Sequence, residues 1–242
     1  MNVISNEKII RRNGKIGNYV SMAAFLMLLV GMYFAFRLTD LKFAQENEIY
    51  NTYMAASLFV GLILFQVGTY FMNRFGRRPR PDQALEAALK GLTKDYTLYN
   101  YLTPVSHLLV GPAGVWVIQS YYQRGNIGYK KGHWQQTGGG FLLLYMKIFA
   151  QEGLGRPDLE VKADTESIRK MLEKQLGEDA PPVNVALIFT DERAVISADD
   201  APNPTLKTKD LKDYLRKYAK ANPLSPAQIK RVTAILPEES VV

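Results

Sequence analysis

Few side chains in this sequence are equipped for covalent or metal chemistry. None of the 242 residues is a cysteine, which excludes a disulfide scaffold, a thiol nucleophile, an iron–sulfur cluster and a cysteine zinc site. Only two histidines occur, His107 and His133, too few for a multi-histidine metal cage. Ser106 and His107 are neighbours, the residue types of a hydroxyl nucleophile and its base. Successive residues of a strand point to opposite faces, however, so this pair does not make a catalytic couple. His107 reads instead as a hydrogen-bonded core histidine. His133, beside Trp134, reads as a surface residue near a turn.

The elements that must position any site fall into two parts. Hydrophobic residues make up 47% of the chain and charged residues 22%, which is globular composition with apolar sequence to spare. The net charge of +7 is unevenly spread. Residues 1–81 hold ten Lys/Arg against four acids, and residues 82–242 hold 20 against 19. The basic excess belongs to the first third, and the rest lacks a broad basic footprint for nucleic acid.

Tyr19 to Phe36 and Met54 to Met72 are runs of eighteen and nineteen residues without a charge. At 1.5 Å per residue each covers roughly 27–29 Å, close to the hydrocarbon thickness of a bilayer. Tyr19, Tyr33, Tyr53 and Tyr70 sit near the ends, where aromatic belts form. Buried core helices would be amphipathic, whereas these runs are apolar all round. The flanks set an orientation. Lys8, Arg11, Arg12 and Lys15 precede the first run, Arg74, Arg77, Arg78 and Arg80 follow the second, and the connector is acidic. The positive-inside rule therefore predicts a multi-pass cell-membrane protein with N- and C-termini cytoplasmic. No charge lies inside either run, which disfavours a transport path.

From Asp82 onward the pattern is mixed α/β. Leu85, Ala88, Leu89 and Leu92 share one helix face. His107–Val110, the turn Gly111-Pro112-Ala113-Gly114 and Val115–Ile118 predict a hairpin of buried strands. Gly125–Trp134 suggests two short strands about a Lys-Lys-Gly turn, Asp164–Leu176 a charged amphipathic helix, and Val183–Thr190 a central buried strand. Two helices follow, the second opening at Ser225-Pro226.

The phrase from Ser106 to Gln119, SHLLVGPAGVWVIQ, resembles the nuclease-related domain (NERD) family. That family's signature is a strand opening Asp-His, a Gly-Pro-x-Gly turn, and a Val-(Phe/Trp)-Val-Ile strand ending Glu-x-Lys. An early helix glutamate, here Glu86, and a later Phe189-Thr190-Asp191 strand end extend the resemblance over about Asp82 to Pro237. It implies a restriction-endonuclease-like fold and metal-dependent phosphodiester cleavage, with Asp and Glu holding Mg²⁺ and Lys activating water. This sequence departs at those positions. The family-equivalent residues are Glu86, Ser106, Gln119 and Tyr121, so two carboxylates have become a hydroxyl and an amide, and the lysine a phenol. Glu160-Val161-Lys162 also spells Glu-x-Lys, but it sits where a helix begins rather than at the end of a buried strand.

The sequence therefore predicts an α/β protein: an N-terminal tail and a two-helix transmembrane hairpin in residues 1–81, with spans at about 19–36 and 54–72, followed by a cytoplasmic restriction-endonuclease-like domain in residues 82–242. The expected role is a catalytically inactive binding or scaffold module, with no catalytic residue, cofactor or metal. The alternative is a membrane-anchored nuclease on DNA or RNA, using Mg²⁺ at an atypical site of Glu86 and displaced acids. The lipid bilayer is the expected partner, and nucleic acid is not supported by the charge. The apolar segment Phe141–Phe149 is too short to span a membrane. It is expected to be a helix that either covers the domain's own core, or contacts the membrane, or meets a protein partner or a second copy.

Overall fold

A computed structural model of the protein describes residues 1–138 and 153–241. The expectation for Phe141–Phe149 lies outside these residues. The described chain divides into two units, one of residues 10–80 and one of residues 1–9, 81–138 and 153–241.

The smaller unit is built on two helices, α1 (Glu7–Arg37) and α3 (Ile49–Phe71), joined through the short α2 (Leu41–Glu46). Both long helices are long and apolar enough to cross a membrane. Their outward faces stay apolar, with Phe25 61% exposed and Phe59 66% exposed. Left in water, each such side chain forfeits about 1.5–3 kcal/mol of burial. The faces between the helices are made of small residues. Gly17, Ala24 and Gly31 are buried on α1 at a seven-residue repeat, and Ser57, Gly61 and Gly68 are buried on α3. The approach is close enough to require glycine: a Cβ on Gly68 would lie 2.5 Å from Ser21 Oγ.

The larger unit is mixed α/β. Its central sheet has six strands: β1 (Asn2–Ser5), β2 (Thr97–Asn100), β3 (His107–Gly111), β4 (Gly114–Tyr121), β7 (Val183–Phe189) and β9 (Thr205–Lys207), in that spatial order. A second sheet runs β6 (His133–Thr137), β5 (Gly125–Lys130), β8 (Ala194–Ser197). The predicted hairpin is β3–β4. It is antiparallel with Gly111 opposite Gly114, and Gly114 takes φ +102, a conformation that side-chain-bearing residues rarely adopt.

Alternation along the strands sends side chains to two apolar layers. Val115, Val117 and Tyr121 of β4 face α5 (Pro157–Leu176) and α7 (Pro226–Ala234), meeting Ile168, Leu172 and Val232. Trp116 and Ile118 face α4 (Pro81–Leu89) and α6 (Thr208–Ala221), meeting Leu85, Leu89, Leu211 and Leu215. Trp116 is fully enclosed: its Nε1–H donates to Ala113 O at 2.8 Å and Tyr218 packs edge-on at 4.9 Å.

Two features differ from the sequence expectation. Asn2–Ser5, read as part of an N-terminal tail, forms β1 and pairs in parallel with β2. The apolar hairpin is thus inserted between β1 and α4 of the sheet-bearing unit. The helix expected from Asp164 begins at Pro157, whose fixed φ suits a first helical position and which is followed by Asp158 and Glu160 in the first turn.

Candidate functional site

The earlier helix start creates a polar cluster at the end of β4. Glu160, Asp164, Ile168 and Leu172 succeed one another every four residues, so all four fall on the sheet-facing side of α5. Ile168 and Leu172 anchor in the core, and the two carboxylates extend the same stripe to the strand's polar end. There they meet Gln119 and Tyr121, both buried and both on the α5 face of β4.

Gln119 Nε2 donates to Asp164 Oδ2 at 3.3 Å. The Tyr121 hydroxyl stands 2.7 Å from Glu160 Oε2 and 3.0 Å from Gln119 Oε1. The four residues lie in one row, Asp164–Gln119–Tyr121–Glu160. The hydroxyl has a single proton for two acceptors, so Glu160 takes the charge-assisted bond and the Gln119 Oε1 contact is left without a donor. The phenol ring is fixed by stacking on Phe189, with centroids 5.4 Å apart and planes at 24°. Thr190 N–H donates to Tyr121 O at 2.8 Å and locks the strand end.

The resemblance singled out two further residues, Glu86 and Ser106. Glu86 is exposed on α4, the helix covering the opposite face of the sheet. Ser106 precedes β3, and its carbonyl accepts from Tyr101 N–H at 2.9 Å. The register that sets Leu108 opposite Val117, continued by two residues, brings Ser106 level with Gln119. The sequence reading set Glu160 aside and took Asp164 as a helix start. The signal that identifies both was present: proline at a first-turn position and an apolar four-residue repeat that the two acids continue backward.

His107 is buried on the Trp116 side of the sheet, not beside Ser106 in a catalytic couple. Its Nδ1 lies 2.8 Å from Asn100 Oδ1, Asn100 Nδ2 donates to Ser5 Oγ at 3.1 Å, and Ser5 N–H donates to Ser240 Oγ at 3.0 Å. Since the Asn100 amide nitrogen is engaged with Ser5, Asn100 Oδ1 accepts and His107 carries its proton on Nδ1. This network ties β1, β2, β3 and the C-terminal residues together.

A hard divalent ion is held by several anionic oxygens at fixed geometry. Among the described residues, no three His, Asp or Glu side chains are grouped to hold a metal ion. The β4–α5 cluster offers two carboxylates, one amide oxygen and one phenol, with the amide and phenol engaged on the carboxylates. Compared with family models, with curated proteins and with solved structures, the chain matches nothing.

Proposed function

We propose that the chain is a membrane-tethered binding or scaffold module: α1 and α3 cross the bilayer as a hairpin, both termini are cytoplasmic, and the sheet-bearing unit is a restriction-endonuclease-like domain without metal chemistry. The tether is supported by connectivity. β1 and β2 are hydrogen-bonded neighbours, and both apolar helices lie between them in sequence. That pairing supports a topology in which residues 5 and 97 share one side of the bilayer and the chain between them crosses it twice. The basic flanks favour the cytoplasm for that side.

The inactive reading is carried by one observation: Tyr121 spends its one donor on Glu160, and Gln119 donates to Asp164. At the positions where the resembled family carries Glu and Lys, this chain has a closed structural clasp. A second reading has its own support, since the same two carboxylates sit at the strand end as displaced acids. In that reading the chain is a membrane-anchored, Mg²⁺-dependent nuclease. A nuclease assay on single- and double-stranded DNA and RNA with Mg²⁺ or Mn²⁺ separates the two. It must use the full chain in detergent, because a fragment starting at Asp82 lacks β1. No cleavage is expected. Cleavage by the native chain that Glu160→Gln and Asp164→Asn abolish would establish the second reading.

A further inference from the structure

We propose that the exposed face of α6, with the turn following α4, docks on an anionic phospholipid surface; the proposal rests on the membrane reading above.

Leu211 and Leu215 bury one side of α6. The other side carries Lys209, Lys212, Arg216, Lys217 and Lys220 against Asp210 and Asp213. The turn after α4 adds Lys90 to the same surface. Lys212 Nζ donates to Lys90 O at 3.3 Å, and Arg216 donates to Gly91 O at 3.0 Å. The patch has six cations and two acids, a balance of +4. Residues 82–242 as a whole balance at +1, so everything outside the patch is net negative.

The cations are also uncompensated, which an ordinary solvated helix face need not be. On α5, Arg169 pairs with Glu166 at 2.8 Å and Glu173 at 2.9 Å, and Lys170 pairs with Glu166 at 3.4 Å. On α6 the ion pair is Arg216–Asp213, a single loose contact at 3.4 Å. Lys90, Lys209, Lys217 and Lys220 make no ion pair among the described residues. Four unpaired ammonium groups on one surface repel one another, and a negative surface within a Debye length of about 8 Å relieves that repulsion.

Two observations favour a bilayer over nucleic acid. Single-stranded nucleic acid is held by aromatic platforms as well as cations, and the aromatic residues of α6, Tyr214 and Tyr218, are turned inward against Trp116. The tether also holds this unit at a membrane. α4 begins at Pro81, directly after the arginines that follow α3, and its nine residues span about 13 Å, which keeps Lys90 on a short leash.

The absence of cysteine makes the test clean. The full chain carrying Ala221→Cys, at the end of α6, is labelled with a fluorophore in nanodiscs of phosphatidylcholine alone or with one-third phosphatidylglycerol. A headgroup-bound quencher reads the distance to the bilayer. Phosphatidylglycerol is expected to raise quenching about three-fold at 0.1 M salt, and about 1 M salt to abolish the rise. The triple variant Lys209→Gln/Lys217→Gln/Lys220→Gln is expected to lose it, with unchanged thermal unfolding. A label at Glu178→Cys, in the turn after α5, is expected not to respond. Equal quenching in both lipids, or an unaffected triple variant, overturns the proposal. If duplex DNA binds the native chain but not the triple variant while phosphatidylglycerol has no effect, the surface belongs to nucleic acid and the proposal is overturned. A chain that does not enter nanodiscs at all removes the membrane reading itself, and the docking inference falls with it.

Discussion

Tyr121→Phe removes one hydroxyl and leaves the ring stacked on Phe189, which isolates the clasp at the end of β4. The loss is the 2.7 Å bond to Glu160. A bond to a charged partner contributes about 1.5–3 kcal/mol, and the lower end applies because water reaches the exposed Glu160. Gln119 Oε1, 3.0 Å from the same hydroxyl, receives no proton from it and loses no bond. The expected destabilisation is about 1.5 kcal/mol, or roughly 4 °C for a unit of this size. Glu160→Gln keeps an acceptor in place and is expected to cost about 1 kcal/mol. The two changes share one bond, so the double variant should fall short of additivity by about 1 kcal/mol. Thermal unfolding of the full chain in detergent, followed by near-ultraviolet circular dichroism, reads all three. A Tyr121→Phe variant within 0.5 kcal/mol of the native chain, or strict additivity with Glu160→Gln, would refute the clasp.

Three further outcomes follow from the packing. Gly68→Leu drives a side chain into Ser21, so α1 and α3 should separate and proteolysis of the connector in detergent should accelerate several-fold. His107→Leu strands Asn100 Oδ1 in the interior and should cost about 1–3 kcal/mol in chemical denaturation, whereas His133→Leu, at an exposed position, should change little. Burial pushes the Tyr99 phenol above its usual range, with Glu238 adding to the rise. Stability is then unchanged below about pH 10 and falls as the pH rises further, because the unfolded chain ionises first. Tyr99→Phe should blunt that alkaline loss in a pH series of unfolding curves.

What the sequence made legible was local. Two charge-free runs bounded by arginines and tyrosines marked α1 and α3, because a helix that is apolar all round shows as an unbroken hydrophobic run. Gly-Pro-Ala-Gly between two short apolar runs marked the β3–β4 hairpin, because turn chemistry and register are written in adjacent residues. β1 was not legible: four residues carry too little pattern, and their partner strand lies some ninety positions away. β8 and β9, of four and three residues, escaped because they too carry little pattern. The clasp was half legible. Gln119 and Tyr121 followed from the family resemblance, but Glu160 and Asp164 required the helix to start at Pro157. A Glu-x-Lys spelling drew attention to a motif rather than to the four-residue stripe that aims both acids at β4.

Whether the end of β4 is a closed clasp or a metal centre is decided most directly by calorimetric titration of Mn²⁺ into the full chain. A clasp whose amide and phenol are bound to its own carboxylates predicts no saturable uptake at millimolar metal, and the same featureless trace for Glu160→Gln/Asp164→Asn. Saturable uptake by the native chain that disappears in that double variant would contradict it.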